Sequence, residues 1–514
     1  MKKFKIYLIQ AFILLSLLPG CKDFLDLEPR DQLSMDIALT SLENLEGAIL
    51  SVYERGRWPY GDLNLALYKI FYTDIVKPGT HIRDQANWNS MCTLEGFDAT
   101  HTSLRDLWDA YYAGLNRANT IIDKIDVVEY NRENPSAVER RNTVLGEAYY
   151  FRAYFHLNLI EYWDNIILAD RVFDDPSITY ELATKSDVYN LIVSDLETAI
   201  DLLPEASNVP SKGKVSKGVA RHLLSLAHMD LGNWAEAAAV AEEVIADPAY
   251  GFAPLDQIFS ELYQENREII FSWQFMPGQN GNWTGCQLIP LYDRCNGVAR
   301  TFEQGGRPWS RNVPNDYYWS LFEEDDLRLE AWHKRYWTYD VNTADDPLPA
   351  GVNIGDTVTA ENIVDIAGLG MTAVIPTTTK YWEYDGLGRS LDDAACYKNY
   401  IQYRYAQAFL VAAEAYFHSG TNLARGQELL DQLRARAGQG SIELNISNLL
   451  DEEARELGFE GHRYPMLKRL GILLERVQTY SPETGDNMLP HHVRWPLPKN
   501  FVDLTGVPQN EGYE

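Results

Sequence analysis

The segment EAYYFRAYFHLNLIEYW, Glu147 to Trp163, constrains the fold of this 514-residue chain more than any other stretch. Ala148, Phe151, Phe155, Leu159 and Tyr162 recur at spacings of three and four, so an apolar face runs over several turns and has to be buried against other helices. Two neighbours repeat the pattern. LWDAYYAGLNRANTIIDKI, Leu107 to Ile125, puts Trp108, Tyr111, Tyr112, Leu115, Ala118 and Ile122 on one side. SDVYNLIVSDLETAIDLLP, Ser186 to Pro204, opens on a Ser suited to capping and closes before a proline. From Ala220 to Pro248 a helix, a Gly232-Asn233-Trp234 turn and a second helix opening at Ala237 follow the grammar of a tetratricopeptide unit. Tyr405 to Ala437 echoes it, with Ala413, Tyr416 and Gly420 at packing and turn positions, and Leu196, Ala199 and Pro204 fit the second helix of another unit. These units are widely spaced and irregular, which predicts a mainly α fold of helical hairpins built into a globular body.

Between 252 and 398 the texture changes. Helical periodicity fades, Gly, Pro, Asn and aromatic residues crowd together, and short Thr and Val runs such as DTVTAENIV suggest short strands. A second loop-rich stretch runs from Arg57 to Asp98. Long connections rich in Trp and Tyr, carried on a rigid helical frame, are where ligand contacts are expected.

The amino terminus reads as a targeting segment. Lys2, Lys3 and Lys5 precede an apolar run from Ile6 to Leu18, too short to span a bilayer, which needs roughly 20 residues. Leu18, Pro19, Gly20 and Cys21 then resemble a bacterial lipobox, which predicts lipid modification of Cys21 and loss of residues 1–20. The leader holds three Lys and no acid, so the mature chain carries 42 basic against 74 acidic residues, a net charge of −32. That excess of negative charge argues against a nucleic-acid partner. Cys92, Cys286, Cys295 and Cys396 show no CxxC spacing for zinc or redox work, and a Cys286–Cys295 bridge and free thiols are equally open. Most of the 31 Tyr and 13 Trp are expected in the core.

A series of segments in order then resembles one family, the SusD/RagB nutrient-binding lipoproteins of Gram-negative outer membranes. CKDFLDLEP is similar to the family's first mature segment, WDAYYAGLNRANTIID and EAYYFRAYFHLNLIEYW to its first long helices, and SKGVARHLLSLAHMDLGNWAEAAAVAEEVI to its clearest tetratricopeptide unit. NREIIFSWQF resembles the strand-like segment that follows. YRYAQAFLVAAEAYFHSG with LLDQLRARAG, then ELGFEGHRYPMLKRLG, WPLPKNF and GVPQNEGY, complete the series. Departures fall at Glu452-Glu453, where a Glu-Arg pair is usual, and at Met466 and Leu470, where Asp and Trp are common. The resemblance implies a SusD-like fold with four tetratricopeptide-like hairpins, divided into a leader at 1–20, an N-terminal region at 21–250 and a C-terminal region at 251–514 that includes the insertion. It also implies a lipid-anchored protein on the extracellular face of the outer membrane, with a SusC-like TonB-dependent transporter as partner. Lys22 and Asp23 resemble the start of a surface-export signal.

Binding an oligosaccharide needs aromatic faces for the C–H side of sugar rings and amides or guanidinium groups for the hydroxyls. HIRDQANWNS, His81 to Ser90, supplies all three kinds, with Trp88 as platform, Asn87 and Asn89 beside it and Arg83 as donor. By region, the resemblance adds Trp283, Tyr292, Arg294, Trp309 and Trp319. The competing reading of each is a loop aromatic plugging the scaffold. Catalysis has little to stand on. A glycosidase needs two carboxyls about 5 to 10 Å apart across the bond, whereas the run Glu323 to Asp326 reads as a solvated, helix-capping cluster. Glu456, Glu460 and Arg463 read as an internal ion-pair network. His462 with Arg463, and His491 with His492, lack the spacing of a helical zinc site, and no phosphate-cradling Gly loop occurs. No cofactor is expected, structural calcium stays open, and no EF-hand loop is present. The expected function is therefore non-enzymatic: capture of glycan at the surface and delivery to the transporter. Peptide or glycoprotein cargo, a surface glycoside hydrolase and a pure protein scaffold are the alternatives.

Overall fold

The longest helix starts where the Asn134 side chain accepts the Ser136 amide and Pro135 supplies a preset φ at the first helical position. It runs to Trp163, and Asp164, at φ 59°, ends it. The sequence pattern showed only the second half of this helix, because residues 135–146 face water along much of their length. In this computed structural model of the chain, the described residues are 39–61, 68–79, 86–173, 179–276, 281, 297–299, 301, 312–358, 376–383 and 396–514.

Before that helix come α1 (Leu42–Arg57), α2 (Tyr68–Phe71), α3 (Ala86–Thr93) and α4 (Thr102–Lys124); the long helix itself is α5 (Pro135–Trp163). Next are α6 (Lys185–Leu202), α7 (Lys217–Leu231), α8 (Trp234–Ala246) and α9 (Leu255–Ile258). The insertion carries α10 (Asp316–Ser320) and α11 (Leu327–Ala331). The carboxyl part holds α12 (Tyr405–Ser419), α13 (Leu423–Arg436), α14 (Ile446–Leu457), α15 (Arg463–Arg469), α16 (Leu473–Tyr480), α17 (Pro482–Gly485) and α18 (Lys499–Thr505). Four packed pairs, α1/α4, α5/α6, α7/α8 and α12/α13, form the frame, and α12 lies directly on α8 although the whole insertion separates them in sequence.

Local chemistry sets the joints of this frame. Thr184, and not Ser186, caps α6 by accepting the Asp187 amide. Between α7 and α8 the chain turns on Gly232 at φ 72°, a left-handed conformation that side chains resist, and α8 then opens at Trp234, three residues before Ala237. Gly420, at φ 66°, does the same after α12.

Three two-stranded sheets complete the described structure. β1 (Val76–Pro78) pairs with β3 (Asn312–Pro314), β2 (Ile269–Trp273) with β6 (Tyr400–Arg404), and β4 (His333–Lys334) with β5 (Thr377–Thr378), all antiparallel. NREIIFSWQF thus supplies a strand, fully buried and paired with β6, which leads directly into α12. From the Thr/Val run, Thr357 makes a bridge with Thr338. One large core joins α1 to the last residues, and Trp108, Trp163, Trp273, Trp332, Trp337, Trp382 and Trp495 are all buried, as the aromatic content suggested. Among the described residues no helix is long and apolar enough to cross a membrane.

Candidate ligand-binding face

Two short strands bring the two loop-rich stretches together. β1 lies inside the early stretch and β3 at the end of the insertion's aromatic segment, with Val76 opposite Pro314, Lys77 opposite Val313 and Pro78 opposite Asn312. Because the pairing is antiparallel, the chain that leaves β1 toward Arg83 and Trp88 departs from the same end of the ribbon at which the chain carrying Trp309 arrives. Segments more than 200 residues apart in sequence are therefore anchored side by side.

The ribbon is pinned from beneath. The Asn315 side-chain amide donates to the carbonyls of Asp74 (2.7 Å) and Tyr480 (2.8 Å) and to Ser481 Oγ (3.0 Å), while its oxygen accepts the Tyr318 amide and caps α10. Ser481 Oγ lies 3.0 Å from the Thr73 carbonyl and 2.6 Å from that of Val76, and Thr484 Oγ1 donates to the Cys92 carbonyl. Beside β3, half-buried Tyr317 stacks on Tyr480 with ring centres 3.9 Å apart. The Arg476 guanidinium lies over both rings, at 5.0 and 4.6 Å. Burial, with the Asp451 carboxylate next, pushes the Tyr317 hydroxyl up to about 12, so it stays a neutral donor, 2.9 Å from Asp451 Oδ1. Paired rings under a guanidinium are a ready surface for a sugar or peptide face. Sequence reasoning passed over these three residues, which lie 159 or more positions apart across the pair and share no motif.

The residues expected from the sequence fall in three groups. Cys21, Arg83, Trp283, Tyr292, Arg294 and Trp309 lie outside the described residues, as do Cys286 and Cys295. Asn87, Trp88 and Asn89 lie on α3, which packs against β1 and α17; the side chains of Asn87 and Trp88 are outside the description, and Asn89 is part-exposed. Trp319, on α10, is half-buried and packs against the core, with its ring edge-on to Tyr318 (5.5 Å) and His333 (5.3 Å).

The carboxylates are organised for structure. Glu323, Glu324 and Asp325 are exposed, but Asp326 is buried, caps α11 and pairs with Arg328 at 2.8 Å. Arg328 also reaches Glu452 (2.7 Å) and Glu456 (3.1 Å), and Arg404 reaches Glu268 (2.9 Å), Glu456 (2.6 Å) and Glu460 (2.7 Å). Arg463 does not join this network, as the sequence pattern suggested it would. It pairs with Asp74 and Glu453, both at 2.8 Å, and Arg476 shares Asp74. Burial pushes the Glu456 carboxyl up, but Arg436, Arg404 and Arg328 outweigh it and hold the group far below the usual carboxylate range. Such an acid has no proton to donate at neutral pH. His462 is pushed down to about 3 and His492 to about 4, chiefly by burial, which makes both poor bases. Among the described residues no group of three or more His, Cys, Asp or Glu is placed to hold a metal ion.

Comparison with known proteins covers almost the whole chain. A family described as "Starch-binding associating with outer membrane" matches residues 23–225, and one described as "SusD family" matches 268–513. SusD-like protein P2 of Formosa agariphila is 26% identical over 543 residues, spanning 100% of both chains, and SusD-like protein P25 of the same organism is 23% identical, spanning 98% of this chain and 99% of its own. Among solved structures, a laminarin binding SusD-like protein superposes with a TM-score of 0.73 at 24% identity, covering 92% of this chain and 100% of its own. Surface glycan-binding protein A from Bacteroides thetaiotaomicron does so with a TM-score of 0.73 at 20% identity and the same coverage.

Proposed function

Because this chain belongs to the SusD family, we propose that it is a non-enzymatic binding protein held on the outer face of the outer membrane through lipidated Cys21, where it captures glycan and passes it to a SusC-like TonB-dependent transporter. The observation that supports the glycan reading is the β1/β3 ribbon, from one end of which the chain leads to the Arg83–Asn89 segment and to the Trp309 segment, while the Tyr317/Tyr480/Arg476 stack follows β3 at the other end. Relatives whose names describe laminarin and surface-glycan binding support it. Glu452, Glu456 and Asp74 are tied into arginine networks, which supports a structural role for these acids.

Affinity electrophoresis and titration calorimetry of the mature protein against a polysaccharide panel test this reading. One class of neutral glycan is expected to bind, and Trp88→Leu to weaken it about fivefold or more, since a stacking face is worth roughly 1 kcal/mol. Failure of every glycan refutes the sugar version. Peptide binding that survives Trp88→Leu replaces glycan with peptide cargo, and release of shortened products from a labelled polymer replaces binding with hydrolysis. Pull-down of a TonB-dependent barrel from outer membranes, lost when Cys21 is changed to Ser, tests the partnership.

A further inference from the structure

Away from the ribbon, an apolar groove of about 270 Å³ opens between α4, the chain that follows α5, and α18. The rings of Trp108, Tyr112, Phe173, Tyr180 and Phe501 wall it, and Leu504, 84% exposed, forms its edge. Phe501 meets Trp108 and Tyr180 with ring centres 4.9 and 6.4 Å apart, yet α18 contains no buried residue, and every one of these rings but Trp108 is only half-buried. Apolar surface gathered in this way on an acidic chain marks an interaction site. The walls offer little to a sugar. The Asn119 amide nitrogen donates to the carbonyls of Ala169 (2.8 Å) and Arg171 (2.9 Å), and its oxygen accepts from Arg152 (3.0 Å). The Tyr112 hydroxyl donates to the Ile167 carbonyl at 3.0 Å and accepts the Ile167 amide at 2.8 Å, and the Thr505 hydroxyl donates to the Phe501 carbonyl at 2.7 Å. Arg171 is the one charged residue among the described walls, and its side chain is 70% exposed. A second copy of so acidic a chain is repelled.

Residues 22–38, outside the described residues, have the composition these walls call for. Leu39 is buried, the Thr40 carbonyl accepts the Glu129 amide at 3.3 Å and Ser41 bridges Glu129, so the described chain starts beside the turn that follows α4. Upstream, Leu33, Met35, Ile37 and Leu39 alternate with Ser34, Asp36 and Ala38, the pattern of extended chain laid on a surface. Ahead of Pro29 stands DFLDLE, where Phe24, Leu25 and Leu27 are set among Asp23, Asp26 and Glu28. The reach is sufficient. The groove meets α4 between Trp108 and Asn119, about 8 to 24 Å back from the last residue of that helix at its rise per residue. Phe24 and Leu27 lie fifteen and twelve positions before Leu39, a span of about 40 to 50 Å when extended. Three apolar side chains match walls of rings, and three acids match a rim whose single charge is Arg171.

We propose that the groove is a docking site for the chain's own amino-terminal segment, with Phe24, Leu25 and Leu27 against the rings and the flanking acids toward Arg171. On the lipid-anchored reading above, Cys21 then stands three residues from the groove, and the acyl chains are held against this face instead of trailing on a loose tether. The docking itself needs neither the lipid nor a guest on the loop face, so its test uses neither. Timed chymotrypsin digestion of the full mature chain carrying Cys21→Ser, followed by mass spectrometry, reads cleavage after Phe24, Leu25 and Leu27. Leu504→Asp and Arg171→Glu are each expected to speed that cleavage at least tenfold. Leu262→Asp, at a leucine 71% exposed elsewhere, should leave it unchanged. If Leu504→Asp does not give a cooperative unfolding transition, Tyr180→Ser replaces it. In a second arm, the chain carrying Phe24→Ser, Leu25→Ser and Leu27→Ser should bind the free peptide KDFLDLEPR in calorimetry, and adding Leu504→Asp should abolish that binding. Equal cleavage rates with and without Leu504→Asp overturn the proposal, as does failure of the peptide to bind. So does a dimer that Leu504→Asp splits, or a glycan affinity that it removes, with cleavage unchanged in either case.

Discussion

Acid should loosen this protein through buried histidines, and His156 gives the sharpest form of the test. The ring lies in the core on α5, where its Nε2 accepts the Ala169 amide at 3.1 Å and its Nδ1 faces the Arg152 carbonyl at 2.9 Å. Those partners fix a neutral ring with the proton on Nδ1. A second proton would occupy the atom that receives Ala169 and add charge beside the Arg152 guanidinium. Burial first, with Arg152 adding to it, pushes the group down to about 3 from an ordinary 6.5. Below 6.5 the unfolded chain therefore binds a proton that the folded chain refuses, and stability falls as pH falls from there toward 3. Between pH 7 and pH 5 one such histidine costs about 1.9 kcal/mol, from RT ln of the two binding polynomials. With an unfolding entropy of about 2.1 cal/mol/K per residue, that is a difference of about 2 °C in Tm for a chain of this size. Calorimetry of the native protein and of His156→Gln at both pH values isolates the effect, because carboxylate contributions cancel between the two chains. The native protein is expected to lose about 2 °C more than the variant over that interval. Equal losses in the two would refute the assignment of a neutral, proton-refusing ring. His222, His333 and His462 should act in the same direction.

Three further outcomes are open to direct measurement. Gly114→Ala should destabilise by about 1–3 kcal/mol in chemical denaturation, since a Cβ there meets the Phe155 ring at 2.5 Å and forces α4 off α5. Arg404→Met should cost about 3–5 kcal/mol by leaving Glu456 and Glu460 short of their central partner, and replacing the whole cluster by apolar residues should cost less than that single change. Asn315→Ala should lower stability by about 1–3 kcal/mol through the Asp74 and Tyr480 carbonyls it orphans. It should also weaken glycan binding while far-UV circular dichroism stays unchanged, because the change lies beneath the ribbon and outside the helical frame.

The frame was readable because helices state their packing locally. The three-and-four spacing at Phe151 and Phe155, and the left-handed turn that Gly232 and Gly420 supply, need no distant information. Helix starts were less legible: Thr184 outcompeted Ser186 as a cap, and residues 135–146 carry too many charges to show an apolar stripe. The ion pairs divided in an instructive way. Helical spacing placed Glu456 and Glu460 together, but Arg463 found Asp74, 389 positions away, which no pattern within a helix could reveal. The ribbon was invisible for a related reason. VKP and NVP are three residues long and end in proline, so neither shows the alternation by which strands are recognised, and only the finished fold brings them into register. Tyr317 and Tyr480 joined the face by the same route.

The ribbon also sets the order in which this molecule becomes competent. Its first strand emerges early in synthesis, its second waits for residue 314, and Ser481, near the carboxyl end, supplies the hydroxyl that meets the Thr73 and Val76 carbonyls on the first side and the Asn315 amide just past the second strand. On the proposed reading, a chain clipped before Ser481 keeps most of its helices but lacks the hydroxyl that holds the ribbon, and should bind no glycan at this face. The three-residue clasp is thus closed only in the finished polypeptide.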